Sequence, residues 1–198
     1  MNKSARTRQY ILERTAPVFN RKGFSGTSLS DLTEATGLTK GALYGNFKDK
    51  EEIAVKAFEH AMRVVRDRVR KSMSGKGSSK ERLFDLLQFY AGYVLHPPVP
   101  GGCPLLNTAV EADDHLKFMR RALRKELNGT VTFVQRLLEE GMASGEFART
   151  TDARSLAYFI FCSVEGAVMF SRAIGSVEPM DYVTGYCRKI LEQISKQP

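Results

Sequence analysis

Cysteine is scarce in this chain of 198 residues: there are three, Cys103, Cys162 and Cys187, odd in number and far apart. That excludes a disulfide-stapled secreted scaffold and fits a reducing compartment. Proline is sparse as well, with 7 in all, and no segment is low in complexity, which excludes extensive disorder. Strand signals are nearly missing, because valine and isoleucine fall mostly at helical spacing. His60, His96 and His115 have no metal-ligand spacing, and neither a Gly-rich phosphate loop nor a nucleophile motif occurs. No catalytic residue, metal site or cofactor is therefore expected. The first ten residues are polar and basic with no apolar segment behind them, unlike a secretory signal. The most apolar stretch, Leu156–Val164, is followed by Glu165 and is too short to cross a bilayer. Together these absences predict a cytoplasmic, non-enzymatic globular protein without a membrane partner.

What the chain has in excess is positive charge. The formal net charge is +8, and +5 of it falls within residues 1–50, where nine basic side chains stand against four acidic ones. A polyanion partner explains that concentration. Solubilisation explains it equally well on charge alone. Apolar periodicity predicts an all-α fold of about nine helices. They fall near 5–22, 28–35, 39–46, 50–73, 80–96, 104–112, 114–143, 152–173 and 179–195. Residues 71–80 read as a polar Gly/Ser-rich linker, and 96–102, with three prolines and two glycines, as a loop. Pro17 inside the first helix predicts a kink there.

The stretch from Gly26 to Glu52 carries the chemistry. Ser28 with Asp31 has the spacing of an N-cap pair. Leu29, Leu32 and Ala35 follow on one apolar face, and Gly37 suits the left-handed end of a short helix. Leu38 is apolar within the turn. Thr39 caps a new helix in which Leu43 and Phe47 point inward. Asp49 with Glu52 opens a third. Two short helices joined by a Gly-containing turn make a helix-turn-helix, and each needs the first helix as a packing partner. The outward face of the second carries Lys40, Gly41, Ala42, Tyr44, Gly45 and Asn46, flanked by Lys48 and Lys50. These small or hydrogen-bonding groups suit a helix that enters a groove about 12 Å wide.

This pattern closely resembles the TetR family signature: Lys22-Gly23-Phe24, Thr27-Ser28, the run Gly37–Tyr44, then Phe47–Glu52. The match covers about residues 8–58. A second segment, Gly102-Cys103-Pro104-Leu105-Leu106-Asn107, is similar to that of a sub-group of the family. The resemblance implies an N-terminal three-helix DNA-binding domain, 1–50, and a C-terminal helical ligand-binding and dimerisation domain, 51–198. It implies phosphate contacts from Thr27, Ser28, Thr39 and Tyr44, base-edge contacts from Lys40, Gly41 and Ala42, and a backbone contact from Lys50. Gly45 and Asn46 depart from the bulkier residues common in the family; Asn46 has the chemistry to pair with an adenine.

For the C-terminal half, the resemblance implies a homodimer through helices near 152–173 and 179–195. The first of these is apolar on more than one face, so it is expected to be buried on more than one side. A small-molecule effector pocket is expected among the remaining helices. Its candidates are Leu87, Tyr90 and Val94; Cys103, Leu106, Asn107 and Val110; and Phe133, Leu137, Phe161 and Glu165. Plain core packing is the competing reading for the apolar ones. Cys103, at a helix start, is either a sensing thiol or an inert one. The implied function is a repressor bound to palindromic operator DNA and released by an inducer. The fourth helix is expected to be the only long element linking the DNA-binding part to the rest, and thus the route of the signal. Two other classes remain in view: an enzyme with an appended DNA-binding domain, and a DNA-binding adaptor without a ligand.

Overall fold

The computed structural model describes residues 2–73, 77–113 and 115–195. Among them the helices are α1 (Lys3–Lys22), α2 (Leu29–Thr36), α3 (Lys40–Tyr44), α4 (Lys50–Ser72), α5 (Ser79–Ala91), α6 (Pro104–Ala112), α7 (Arg120–Ser144), α8 (Ala153–Ile174) and α9 (Glu178–Gln193). The expected linker at 71–80 overlaps residues 74–76, which lie outside the described residues.

The chain folds as two compact units. One comprises Met1–Arg66 with Pro98–Lys125, the other Asp67–Pro97 with Glu126–Pro198. The resemblance implies a division at residue 50; by packing, most of α4 and all of α6 group with the N-terminal helices. α7 runs from residues grouped with the first unit into the second, after Lys125.

In the first unit α1 starts where the Asn2 side chain accepts the Ala5 N–H and ends at Gly23, whose φ is 70°. It is assigned as helix without interruption through Pro17. Its Ile11, Leu12, Thr15 and Ala16 are buried, as their spacing dictates. α2 and α6 both pack on it, and Leu32, Leu43, Phe47 and Ile53 complete a closed core. Each such side chain contributes on the order of 2 kcal/mol through burial. α7 begins at Arg120 rather than at the expected 114. Residues 117–119 instead make tight turns, with Met119 N–H donating to Leu116 C=O and Arg120 N–H to Lys117 C=O.

In the second unit α9 packs against both α5 and α8. Leu83, Leu87, Leu137, Leu138, Phe147, Val168, Met180 and Leu191 are buried there. α8 has 22 residues and, by length and composition, is apolar enough to cross a membrane, more than the 156–164 run suggested. One of its faces, through Leu156, Ile160, Val164 and Val168, is buried within this unit. The other leaves Tyr158, Phe159, Met169 and Phe170 exposed, continued by Tyr182 and Tyr186 of α9.

Candidate nucleic-acid interface

Three local caps shape the helix-turn-helix. The Ser28 hydroxyl accepts the Asp31 N–H, and the Asp31 carboxylate accepts the Ser28 N–H at 2.7 Å, closing a capping box at α2. The Lys22 ammonium, 2.6 Å from Asp31, and the Ser28 donors hold that carboxyl down at about 2. α2 ends at Gly37 with φ 66°, a left-handed position that glycine tolerates best. Thr39 Oγ1 accepts the Ala42 N–H at 3.2 Å and starts α3, as its position predicted.

α3 is five residues long, with Leu43 buried beneath it. Lys40 and Gly41 are exposed, Ala42 and Tyr44 half-buried, and Gly45 exposed. A Cβ on Gly41 would come no nearer than 3.9 Å to its surroundings, and that atom is the Thr39 hydroxyl. Nothing inside the protein therefore requires glycine at 41. A bare backbone at an exposed helix start fits close approach by something outside the chain.

Three of the residues expected to contact DNA have partners inside the chain. Thr27 is 1% exposed, and its hydroxyl donates to the Gly23 carbonyl at 2.5 Å, so it ties the α1–α2 turn and does not present a surface to phosphate. The Asn46 amide donates to Ala42 C=O at 2.9 Å, folded back on its own helix, while its backbone carbonyl accepts from Arg8. Lys50 is half-buried; its ammonium donates to Phe24 C=O at 2.7 Å and lies 4.1 Å from the Phe24 ring centre. Burial pushes the Lys50 pKa down, against the pull of Glu111 and Asp31.

Several supporting residues carried no sequence signal. Arg8 lies 4.2 Å over the Phe47 ring and pairs with Glu52 at 3.0 Å, locking α1 to the start of α4. Glu111, on α6, accepts the N–H groups of Phe24 and Ser25, both at 2.7 Å. Burial would raise its pKa, but these donors and the Lys50 charge outweigh it and hold the carboxyl below its usual range. The Asn107 amide donates to the Asn20 carbonyl and side-chain oxygen and to the Gly101 carbonyl, at 2.9–3.0 Å. Asn20 in turn donates to Pro100 and Gly102 C=O. Gly101, φ 112°, passes so close to Asn20 that a Cβ would lie 2.9 Å from its backbone. The sequence reading places Asn107 at an effector pocket and assigns no role to Asn20, a polar residue one turn after Ala16 on the buried face of α1.

The effector candidates divide between the units. Cys103, Leu106, Asn107 and Val110 belong to the first. Cys103 is buried at the start of α6, Asn107 is engaged as described, and Val110 is 74% exposed, so it lines no enclosed cavity. A cavity of about 30 Å³ in that unit, bordered by Asn20, Asn107 and Glu111, has room for a water or two and no more. Leu87, Tyr90, Val94, Phe133, Leu137, Phe161 and Glu165 belong to the second unit. Leu87, Leu137 and Glu165 are buried, and the other four half-buried. Tyr90 stacks on Tyr93 at 5.5 Å and meets Phe89 edge-on at 5.2 Å.

Residues 11–57 match the family described as bacterial regulatory proteins, tetR family, and 79–186 match the tetracyclin repressor-like C-terminal domain. A TetR-family transcriptional regulator from Cytophaga hutchinsonii superposes with a TM-score of 0.92 and 36% identity, covering 100% of this chain and 99% of that one. The HTH-type transcriptional repressor DhaR of Mycobacterium sp. (strain GP1) is 26% identical over 174 residues, 88% of this chain and 86% of that protein. The fold is also shared by a cysteine-substituted TetR family regulator, CifR, in complex with 26 bp double-strand operator DNA; the TM-score is 0.79 at 24% identity, over 91% and 94% of the two chains. The chain belongs to the tetR family of bacterial regulatory proteins and is a helix-turn-helix, DNA-binding transcriptional regulator.

Proposed function

We propose that this regulator is a dimeric cytoplasmic repressor that holds a palindromic operator with one α3 in each of two major grooves. The observation that carries the reading is the exposed start of α3, where Lys40 and Gly41 face outward over a threonine-capped helix end. Lys40 and Ala42 meet base edges. Ser28, Thr39 and the Tyr44 hydroxyl meet phosphates. One of the Lys50 ammonium's three N–H groups holds Phe24, and the others are free for phosphate. The exposed apolar stripe of α8 and α9 pairs with its copy in a second subunit. The effector enters the second unit, beside Tyr90, Phe133, Phe161 and Glu165. The kinship with repressors such as DhaR, and with a fold solved on operator DNA, supports this reading.

The test is selection of binding sites from random duplex with the intact protein, followed by footprinting. The expected product is a palindrome with half-site centres about one helical turn apart or somewhat more. Full-affinity binding to a single isolated half-site would overturn the dimeric reading. A thermal-shift screen of small molecules, repeated on the DNA complex, tests the effector: a true inducer stabilises the protein and releases DNA. A ligand-free adaptor would show neither effect.

A further inference from the structure

We propose that a basic stripe at the start of α7 is a second DNA-contacting surface, which grips the phosphate backbone of duplex flanking the half-site. Arg120, Arg121, Arg124 and Lys125 lie in the first two turns of α7 at i, i+1, i+4 and i+5, a spacing that groups them on one side of the helix, and Lys117 lies in the turn just before it. All five are exposed, whereas Leu116, Met119, Ala122, Leu123 and Glu126 between them are buried. At helical rise its helical part, 120–125, is about 8 Å long, the axial length of about two nucleotides of one strand.

Among the described residues no carboxylate forms an ion pair with any of the five. Arg120 donates to a backbone carbonyl, that of Asp113, at 3.0 Å. The first turn of α7 holds no acidic residue, and that end of a helix is the one least favourable for cations. An external polyanion would complete these charges, which no described carboxylate pairs.

Position selects duplex DNA as that polyanion. Phe118, inside the stripe, meets Phe24 edge-on with ring centres 4.8 Å apart. Phe24 lies in the turn that carries Lys50 on its carbonyl and leads into Ser28 at the start of α2. The Phe118–Phe24 contact thus fastens the segment leading into α7 to the turn behind the proposed phosphate-facing end of α2. The inference rests on the proposed docking of α2 and α3.

The experiment uses the intact protein and an operator duplex obtained by selection from random sequence. One duplex is trimmed to the minimal palindrome, and the other is extended by about one helical turn on each side. The variant is Lys117→Ala/Arg121→Ala/Arg124→Ala, which leaves the Arg120 contact in place. It should bind the minimal duplex as the parent does. On the extended duplex it should bind more weakly, with a slope of log K against log salt shallower by at least about 0.9 per subunit. Arg121→Lys/Arg124→Lys should restore both. Equal behaviour of parent and variant on the extended duplex overturns the proposal, as does the same loss on both duplexes. Loss of binding to phosphatidylserine vesicles with DNA binding intact assigns the stripe to a membrane and overturns it too. If the triple variant melts at a lower temperature, the single reversal Arg124→Glu replaces it with the same criteria. Lys40→Ala on the minimal duplex is the separate control: unchanged sequence preference there defeats the α3 docking, whatever the stripe does.

Discussion

The carboxylate of Glu111 and the backbone N–H of Phe24 meet at 2.7 Å, joining α6 to the turn between α1 and α2 across 87 positions of sequence. The same carboxylate also takes the Ser25 N–H. A helix outside the reading head thereby caps the turn that sets where α2 begins, and Lys50 holds that turn from its other side through Phe24 C=O.

Glu111→Gln should therefore destabilise the first unit and lower operator affinity. For charge-assisted bonds to a half-exposed carboxylate the expected loss is about 1–2 kcal/mol by urea denaturation at pH 7. The folded pKa is depressed, so the stabilising contribution is fully present above the unfolded value and fades as pH falls through the folded one. Parent and variant should converge in strongly acidic buffer. A stability gap that widened on acidification would show that the carboxylate is not the capping group.

Lys50→Ala should have two separable effects. Loss of the Phe24 contact lowers the melting temperature of the free protein. Loss of the phosphate contact weakens binding to all sequences alike, with a salt slope shallower by about 0.9 per half-site. An affinity loss with the slope intact would confine Lys50 to positioning the turn.

Thr27 discriminates between an expected and an observed role. With its hydroxyl on Gly23 C=O and its side chain buried, Thr27→Val should cost about 0.5–1.5 kcal/mol of stability, since a half-buried carbonyl loses its donor. The salt slope of DNA binding should not change. A shallower slope at full stability would return Thr27 to the phosphate.

The α8–α9 face makes the dimer testable. Phe170 is 54% exposed and Tyr186 60% exposed in the single chain. Phe170→Glu places a charge where about 1.5–3 kcal/mol per large apolar side chain would be gained on burial. It should yield monomers by sedimentation, with far-UV dichroism unchanged and operator affinity lost. A variant that remained dimeric would move the interface elsewhere.

Local chemistry in the sequence determined the reading head almost residue by residue. Ser28 with Asp31, Gly37 and Thr39 act on neighbours three or four positions away, so their roles follow from spacing alone. α6 runs from 104 to 112 as its pattern predicted, because Pro104 and the apolar repeat are local signals too. What α6 packs against was not legible. Periodicity tells which face of a helix is buried and is silent about the partner. Asn107 read as a ligand-facing amide until its acceptors proved to be Asn20 and Gly101. Thr27 and Lys50 read as phosphate contacts because their side-chain chemistry allows it; the structure buries Thr27 with its hydroxyl on the Gly23 carbonyl and sets the Lys50 ammonium on that of Phe24. These assignments depend on atoms brought together from 26 to 87 positions apart, or on which side of a turn faces the core, and only the tertiary structure fixes either.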